Sequence, residues 1–215
     1  MKGIIAILAA LLLALAGCGQ AEKETEKKES STPVQSREEA TQGTAEEDQA
    51  YGQRYLEPVL AGRLLWCDFG PGEMEQLAGT PMIYAFEDLT GGERMRGYWE
   101  KYQGAFPREV MEDCLTAYFQ VTPEELRDSL LAQYYRPEEE VYFYEGGRGG
   151  GPVEVEVTAS RRRGDTLELD YSILTAGMDG GDMVPGLTGT VTILEEGEGA
   201  WKYLENRCRE VAAEG

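Results

Sequence analysis

The chain has no histidine. That absence excludes histidine-based catalytic triads, Cys–His dyads and His-ligated zinc. It also removes the side chain that ordinarily titrates near neutral pH. Cysteine is scarce: Cys18, Cys67, Cys114 and Cys208, at spacings too wide for a zinc site or a disulfide framework. The last three read as small buried apolar side chains, with one disulfide plus a free thiol as the alternative. Cations are few, 20 Lys+Arg against 40 Asp+Glu, for a net charge of −20. Nucleic acid binding and charge-driven docking on anionic lipid both need clustered cations, so neither is expected. Long apolar runs are almost missing. The one run, residues 4–16, makes ~20 Å of helix, short of the ~30 Å hydrocarbon core. Residues 19–50 hold no aromatic side chain.

What is present begins with that apolar run. Lys2 precedes it, and Leu15-Ala16-Gly17-Cys18 closes it. The length and the positive start fit a secretory signal peptide. The closing four residues resemble the lipobox of bacterial lipoproteins. The resemblance implies that Cys18 receives a diacylglyceryl group, that cleavage follows Gly17, and that Cys18 becomes the first residue of the mature protein. The domain organisation is then a signal peptide at 1–17, a lipidated cysteine with a disordered acidic tether at 18–50, and one globular domain at 51–215. The expected location is the extracytoplasmic face of the cell membrane, held by lipid. Two acyl chains anchor firmly where one is marginal. The tether has nine acids and four bases between 19 and 50, and it cannot bury enough apolar surface to offset its chain entropy. A helical ending over 46–60 is the one structured alternative there.

Within the domain, residues 51–69 suggest a helix or two short pieces, interrupted by Pro58 and Gly62. Residues 73–89 suit either a helix broken at Thr80-Pro81 or a short strand over 82–86. Val110, Met111, Cys114, Leu115, Tyr118 and Phe119 follow Pro107 along one helical face. Thr122-Pro123-Glu124-Glu125 reads as a helix start with a capping box, and the helix is expected to continue through Tyr134 and Tyr135 to Pro137. After Pro137 the period changes to two. Val153, Val155 and Val157, then Leu167, Leu169, Tyr171 and Ile173, then Val191 and Ile193 alternate with polar residues. Trp201 and Tyr203 suggest a last strand, and 205–213 a short terminal helix. The expected fold is α+β, with N-terminal helices packed on one face of a C-terminal antiparallel sheet of four to five strands.

Thr122-Pro123-Glu124, the Tyr-ended helix and the closing Trp201-Lys202-Tyr203-Leu204 resemble small secreted lipoproteins of Gram-positive bacteria. The order of elements is also similar to NTF2-like and cystatin-like folds. Residues 66–89 depart from the NTF2-like pattern.

Candidate sites are weak in motif. The glycine-rich loop 146–151 lacks the Gly-Lys-Ser/Thr ending of a phosphate cradle and reads as a hairpin connection. Asp179 and Asp182 lack the acidic spacing of a calcium loop. Glu154, Glu156, Glu168 and Asp170 share the polar sheet face, where paired carboxylates could serve a glycan hydrolase, although a solvated face explains them as well. Arg161-Arg162-Arg163 is the one basic cluster and is expected at a hairpin turn. Residues 195–198 read as a plain hairpin tip. Tyr98, Trp99, Tyr102 and Phe106 are expected to pack under the helices, with stacking on sugar faces as the alternative. Tyr134, Tyr135, Tyr142 and Tyr144 flank the helix-to-sheet crossover and are the expected ligand-binding residues. No catalytic residue, metal site or cofactor is expected. The expected function is a monomeric, membrane-anchored binding or interaction module for a small ligand or an envelope protein. A carboxylate-dependent envelope hydrolase is the alternative.

Overall fold

The computed structural model describes residues 40–74, 77, 79–145, 151–176 and 182–212. The lipobox with Cys18, most of the glycine-rich loop 146–151, and Asp179 lie outside the described residues. The order begins with β1 (Thr41–Gln42), α1 (Ala45–Tyr51), a π-helical segment Gly52–Leu56, α2 (Glu57–Leu60) and a 3-10 turn Leu64–Trp66. Then follow α3 (Gly79–Thr90), α4 (Gly92–Tyr102), β2 (Ala105–Pro107), α5 (Arg108–Tyr118) and α6 (Pro123–Glu125), which runs into a π-helical segment Leu126–Leu130. The chain ends with β3 (Tyr135–Arg136), β4 (Val141–Phe143), β5 (Val153–Arg163), β6 (Thr166–Ala176), β7 (Met183–Gly197) and β8 (Ala200–Glu210). The fold is α+β. Its main sheet is antiparallel, ordered β1-β5-β6-β7-β8, and a small second sheet is ordered β2-β4-β3.

One face of the main sheet carries Leu167, Leu169, Tyr171, Ile173, Val191, Ile193 and Tyr203, all at most 1 % exposed. The helices bring Tyr55, Leu56, Phe86, Met111, Leu115 and Phe119 onto the same core. Each such large side chain contributes ~1.5–3 kcal/mol through removal of its surface from water. Phe119 and Tyr203 form a bridge that seats the end of α5 against β8, and Phe69 forms another with Asn206.

Several local expectations give way to tertiary pairing. Ordered structure starts before Tyr51: Thr44 caps α1 through a full capping box with Glu47, and β1 pairs with Arg161 and Arg162. The acidic stretch therefore includes a helix, which the Ser160 hydroxyl holds by donating to Asp48. The Thr122 box forms as expected: Thr122 Oγ1 accepts from Glu125 N–H at 3.2 Å, and Glu125 accepts from Thr122 N–H at 2.8 Å. The helix nevertheless ends at a π turn, where Leu131 N–H bonds Leu126 O at 2.8 Å. Tyr134 and Tyr135 leave it because β3 and β4 claim them: Tyr135 pairs with Tyr142, and Phe143 N–H bonds Tyr134 O at 2.8 Å. The 82–86 stretch is helical, inside α3. No terminal helix forms over 205–210, because β8 continues along β7 as far as the Leu187–Glu210 pair.

Two bulges explain why the strand pattern is irregular. The register between β5 and β6 shifts at Thr158. After it Ser160 and Arg162 take the inward positions that valines hold before it, as opposite partners of Leu169 and Leu167. The Arg161–Arg163 triplet is therefore part of β5 and not a turn; the turn is Gly164-Asp165, with Gly164 at φ 56°. A second shift at Thr192/Ile193 leaves Leu204 without a partner and turns Asn206 inward, fully buried.

Candidate functional site

An aromatic hollow lies where three helices meet the β7–β8 turn. Its volume is about 450 Å³, within the roughly 300–1,000 Å³ of small-ligand sites. Tyr98 comes from α4, Tyr118 from α5 and Trp201 from β8, and these three rings form its walls. Leu89 and Val110 add apolar surface, and Arg94 and Asp113 stand at the exposed rim.

Local structure fixes each ring. Tyr118 ends α5 on the stripe that buries Met111 and Leu115, and its ring meets Trp201 edge-on with centroids 5.3 Å apart. Tyr55 also meets Trp201, at 5.4 Å and nearly perpendicular, and the Arg54 guanidinium lies 5.4 Å from the indole. Trp201 is thus held by two tyrosine rings before any ligand arrives. Its indole N–H is buried without a well-formed hydrogen bond, and the Tyr203 hydroxyl near it donates its own proton to Tyr55 O at 2.7 Å. Tyr98 stacks on Phe86 at 6.4 Å, with planes 5° apart, and accepts from Arg94 Nε at 3.2 Å. Arg94 and Asp113 form no ion pair among the described residues. Cys114 lines the hollow beside Thr90, with Sγ 3.7 Å from Oγ1, and burial raises its thiol pKa, which suits a wall and not a nucleophile.

The expected tyrosines are brought together elsewhere. Tyr134 packs edge-on against Tyr144 at 5.8 Å, and Tyr135 lies tilted against Tyr142 at 5.0 Å. Tyr142 is fully buried and Tyr144 is 8 % exposed. None of the four lines the aromatic hollow, the open groove on the outer sheet face or the shallow hollow between α3 and α4. Tyr142 instead donates to Glu112 Oε1 at 3.0 Å, and Arg127 Nε stands 3.1 Å from the same oxygen. Burial and this carboxylate push the Tyr142 hydroxyl far above its ordinary value. Glu112 is buried as a bound partner.

The sheet carboxylates are also engaged. Arg161 donates to Asp170 through both terminal nitrogens, at 2.6 and 3.0 Å, and its Nε reaches Glu168 at 3.1 Å. The Arg161 guanidinium and the Thr190 hydroxyl hold the Asp170 carboxyl below its usual range, the reverse of what a general acid needs. Glu154 and Glu156 point to solvent. The hairpin residue Glu195 has a structural role that the sequence does not announce: it accepts from Tyr55 and from Arg162, which in turn reaches the Tyr51 hydroxyl at 3.3 Å. Arg162 holds the Glu195 carboxyl low, and the cluster ties α1 and the following π segment to the end of the sheet. Among the described residues no group of three or more Cys, Asp or Glu is placed to hold a metal ion, and no helix is long and apolar enough to cross a membrane.

No family model, curated protein or solved structure matches this chain.

Proposed function

We propose that the chain is a lipoprotein held on the outer side of the cell membrane by lipid on Cys18, and that its domain binds a small neutral saccharide in the aromatic hollow. The lipobox-like residues 15–18 support the anchor. The convergence of Tyr98, Tyr118 and Trp201 from three elements supports the site, and it is the observation on which the ligand class rests. Aromatic faces take the C–H-rich face of a sugar ring, and polar groups at the rim can hydrogen-bond its hydroxyls. Arg94 and Asp113 supply a donor and an acceptor there. Trp201, held in advance, lowers the cost of ordering the site when a ligand binds.

Binding without turnover is the reading that this arrangement favours. Arg161 pairs with both Glu168 and Asp170 and holds the Asp170 carboxyl low, which weighs against a carboxylate-dependent hydrolase. A panel of mono- and disaccharides and of peptidoglycan fragments, followed by tryptophan fluorescence and by product analysis, tests the reading. Saturable quenching without product supports it. Product release from any of these saccharides would overturn it. The anchor has its own test: metabolic lipid labelling of the full chain should be lost in Cys18→Ser.

A further inference from the structure

Strand β8 is the edge of the main sheet, yet a non-strand segment covers part of it. Phe69 N–H bonds Asn206 O at 3.1 Å, and Asn206 N–H bonds Phe69 O at 2.9 Å. These two bonds fix an antiparallel register. The ladder stops at that bridge, where Cys67 N–H turns back to Leu64 O at 3.1 Å, but continuing its register two residues along each chain sets Cys67 facing Cys208. Cys67 has an extended backbone, φ −112° and ψ 130°. Its carbonyl accepts from Asn206 Nδ2 at 2.9 Å, and Cys208 N–H donates to the neighbouring Asp68 Oδ1 at 2.8 Å. The segment is therefore held against β8 at Cys67, Asp68 and Phe69.

Opposite residues in an antiparallel pair have Cα atoms ~4.5–5.5 Å apart, inside the ~4.4–6.8 Å span of disulfides. A two-residue step keeps both side chains on the face that carries Phe69 and Asn206. The surroundings agree. Tyr171 donates to Leu65 O at 2.7 Å just before this segment, and its hydroxyl is raised by burial together with Cys208, Asp68 and Cys67. Burial, Asp68 and the nearby Cys67 raise the Cys208 thiol to about 12. Both cysteines are half-buried thiols, and Cys114 lies apart in the aromatic hollow.

We propose that Cys67 and Cys208 are a disulfide-forming pair, closed on the outer side of the membrane, that locks residues 64–69 onto the edge of the sheet. The inference rests on the extracytoplasmic location proposed above, because such bonds persist in oxidising compartments. The oxidant is a disulfide. The Cys67 thiolate attacks one of its sulfurs, forms a mixed disulfide and expels the first thiolate. The Cys208 thiolate then attacks the Cys67 sulfur and expels the second. Two cysteine thiols are oxidised, one disulfide is reduced to two thiols, and the two protons lost by the cysteines pass to the two leaving thiolates. The raised thiols make this exchange slow at neutral pH without a catalyst.

The test uses the full chain carrying Cys18→Ser, reduced, then incubated with oxidised glutathione at pH 8.5, alkylated and mapped by mass spectrometry. The expected result is one peptide joining Cys67 to Cys208, with Cys114 alkylated. The oxidised chain should also unfold at higher urea than the reduced chain, and Cys208→Ala should abolish that difference. Three alkylated cysteines after oxidation, a link to Cys114 or a link only between molecules would overturn the pair. Acid-quenched cells expressing the full chain separate the two claims. Closure in vitro with both thiols reduced in cells would uphold the pair and overturn the location.

Discussion

The Tyr171 hydroxyl occupies the space that a side chain on Gly189 would need. A Cβ at Gly189 would fall 2.5 Å from Tyr171 Oη and 2.7 Å from the Arg207 carbonyl oxygen. The two residues are register partners on β6 and β7, so one lacks a side chain where the other is large. Gly189→Ala should therefore destabilise the domain by about 2 kcal/mol, the scale of overpacking, read as a lower urea midpoint. Adding Tyr171→Phe should restore little, because the Arg207 carbonyl is backbone and the buried Asn206 loses a partner.

The Glu112 site stores a second vulnerability. Its carboxylate accepts from buried Tyr142 and pairs with Arg127, whose side chain is 30 % exposed. Arg127→Met leaves a buried carboxylate short of its cation. The expected cost is ~2 kcal/mol, at the low end for breaking such pairs because Arg127 is partly solvated. Denaturant melts of Arg127→Met, Tyr142→Phe and the double variant should show coupling and not simple addition.

The capping box gives a milder effect. Thr122→Ala removes the acceptor for Glu125 N–H and should cost ~1 kcal/mol. Coincident urea midpoints for variant and parent would contradict that.

Stability should be two-sided in pH. Arg161 lowers Asp170, and Arg162 lowers Glu195, below their ordinary values. A depressed folded-state pKa gives stability that is present above the unfolded-state pKa, ~4, and lost as pH falls through the folded one. The Cys208 thiol is raised to about 12 from an ordinary 9.0, so its contribution is full below pH ~9 and fades toward 12. With no histidine, a plateau should span roughly pH 5 to 8.5. Asp170→Asn should flatten part of the acid limb. Cys208→Ala should flatten part of the alkaline limb in the reduced chain.

The α+β order was legible because the period shifts from helical to alternating after Pro137, and α5 was legible in its stripe of Met111, Leu115 and Phe119. Thr122 announced its cap by chemistry that needs no tertiary partner. Tyr134 and Tyr135 misled because their helical spacing is compatible with β3, and pairing with β4 decided the matter. The last strand was obscured by a bulge at Leu204, which breaks the alternation before Asn206 and Cys208. The aromatic hollow was the least legible. Tyr98, Tyr118 and Trp201 are far apart in sequence, and only the docking of α4, α5 and the β7–β8 turn joins them. Two of the three were visible beforehand only as a helix stripe residue and a strand residue, each consistent with plain core packing.

Binding in that hollow is most directly tested by amide chemical-shift mapping of the Cys18→Ser chain against the same saccharide panel. The account predicts saturable shifts clustered at Tyr98, Asp113, Tyr118 and Trp201, weakened at least tenfold by Trp201→Phe in a chain that still unfolds in one cooperative urea transition. Shifts confined to Tyr134, Tyr135 and their neighbours, or conversion of a saccharide during the titration, would contradict it.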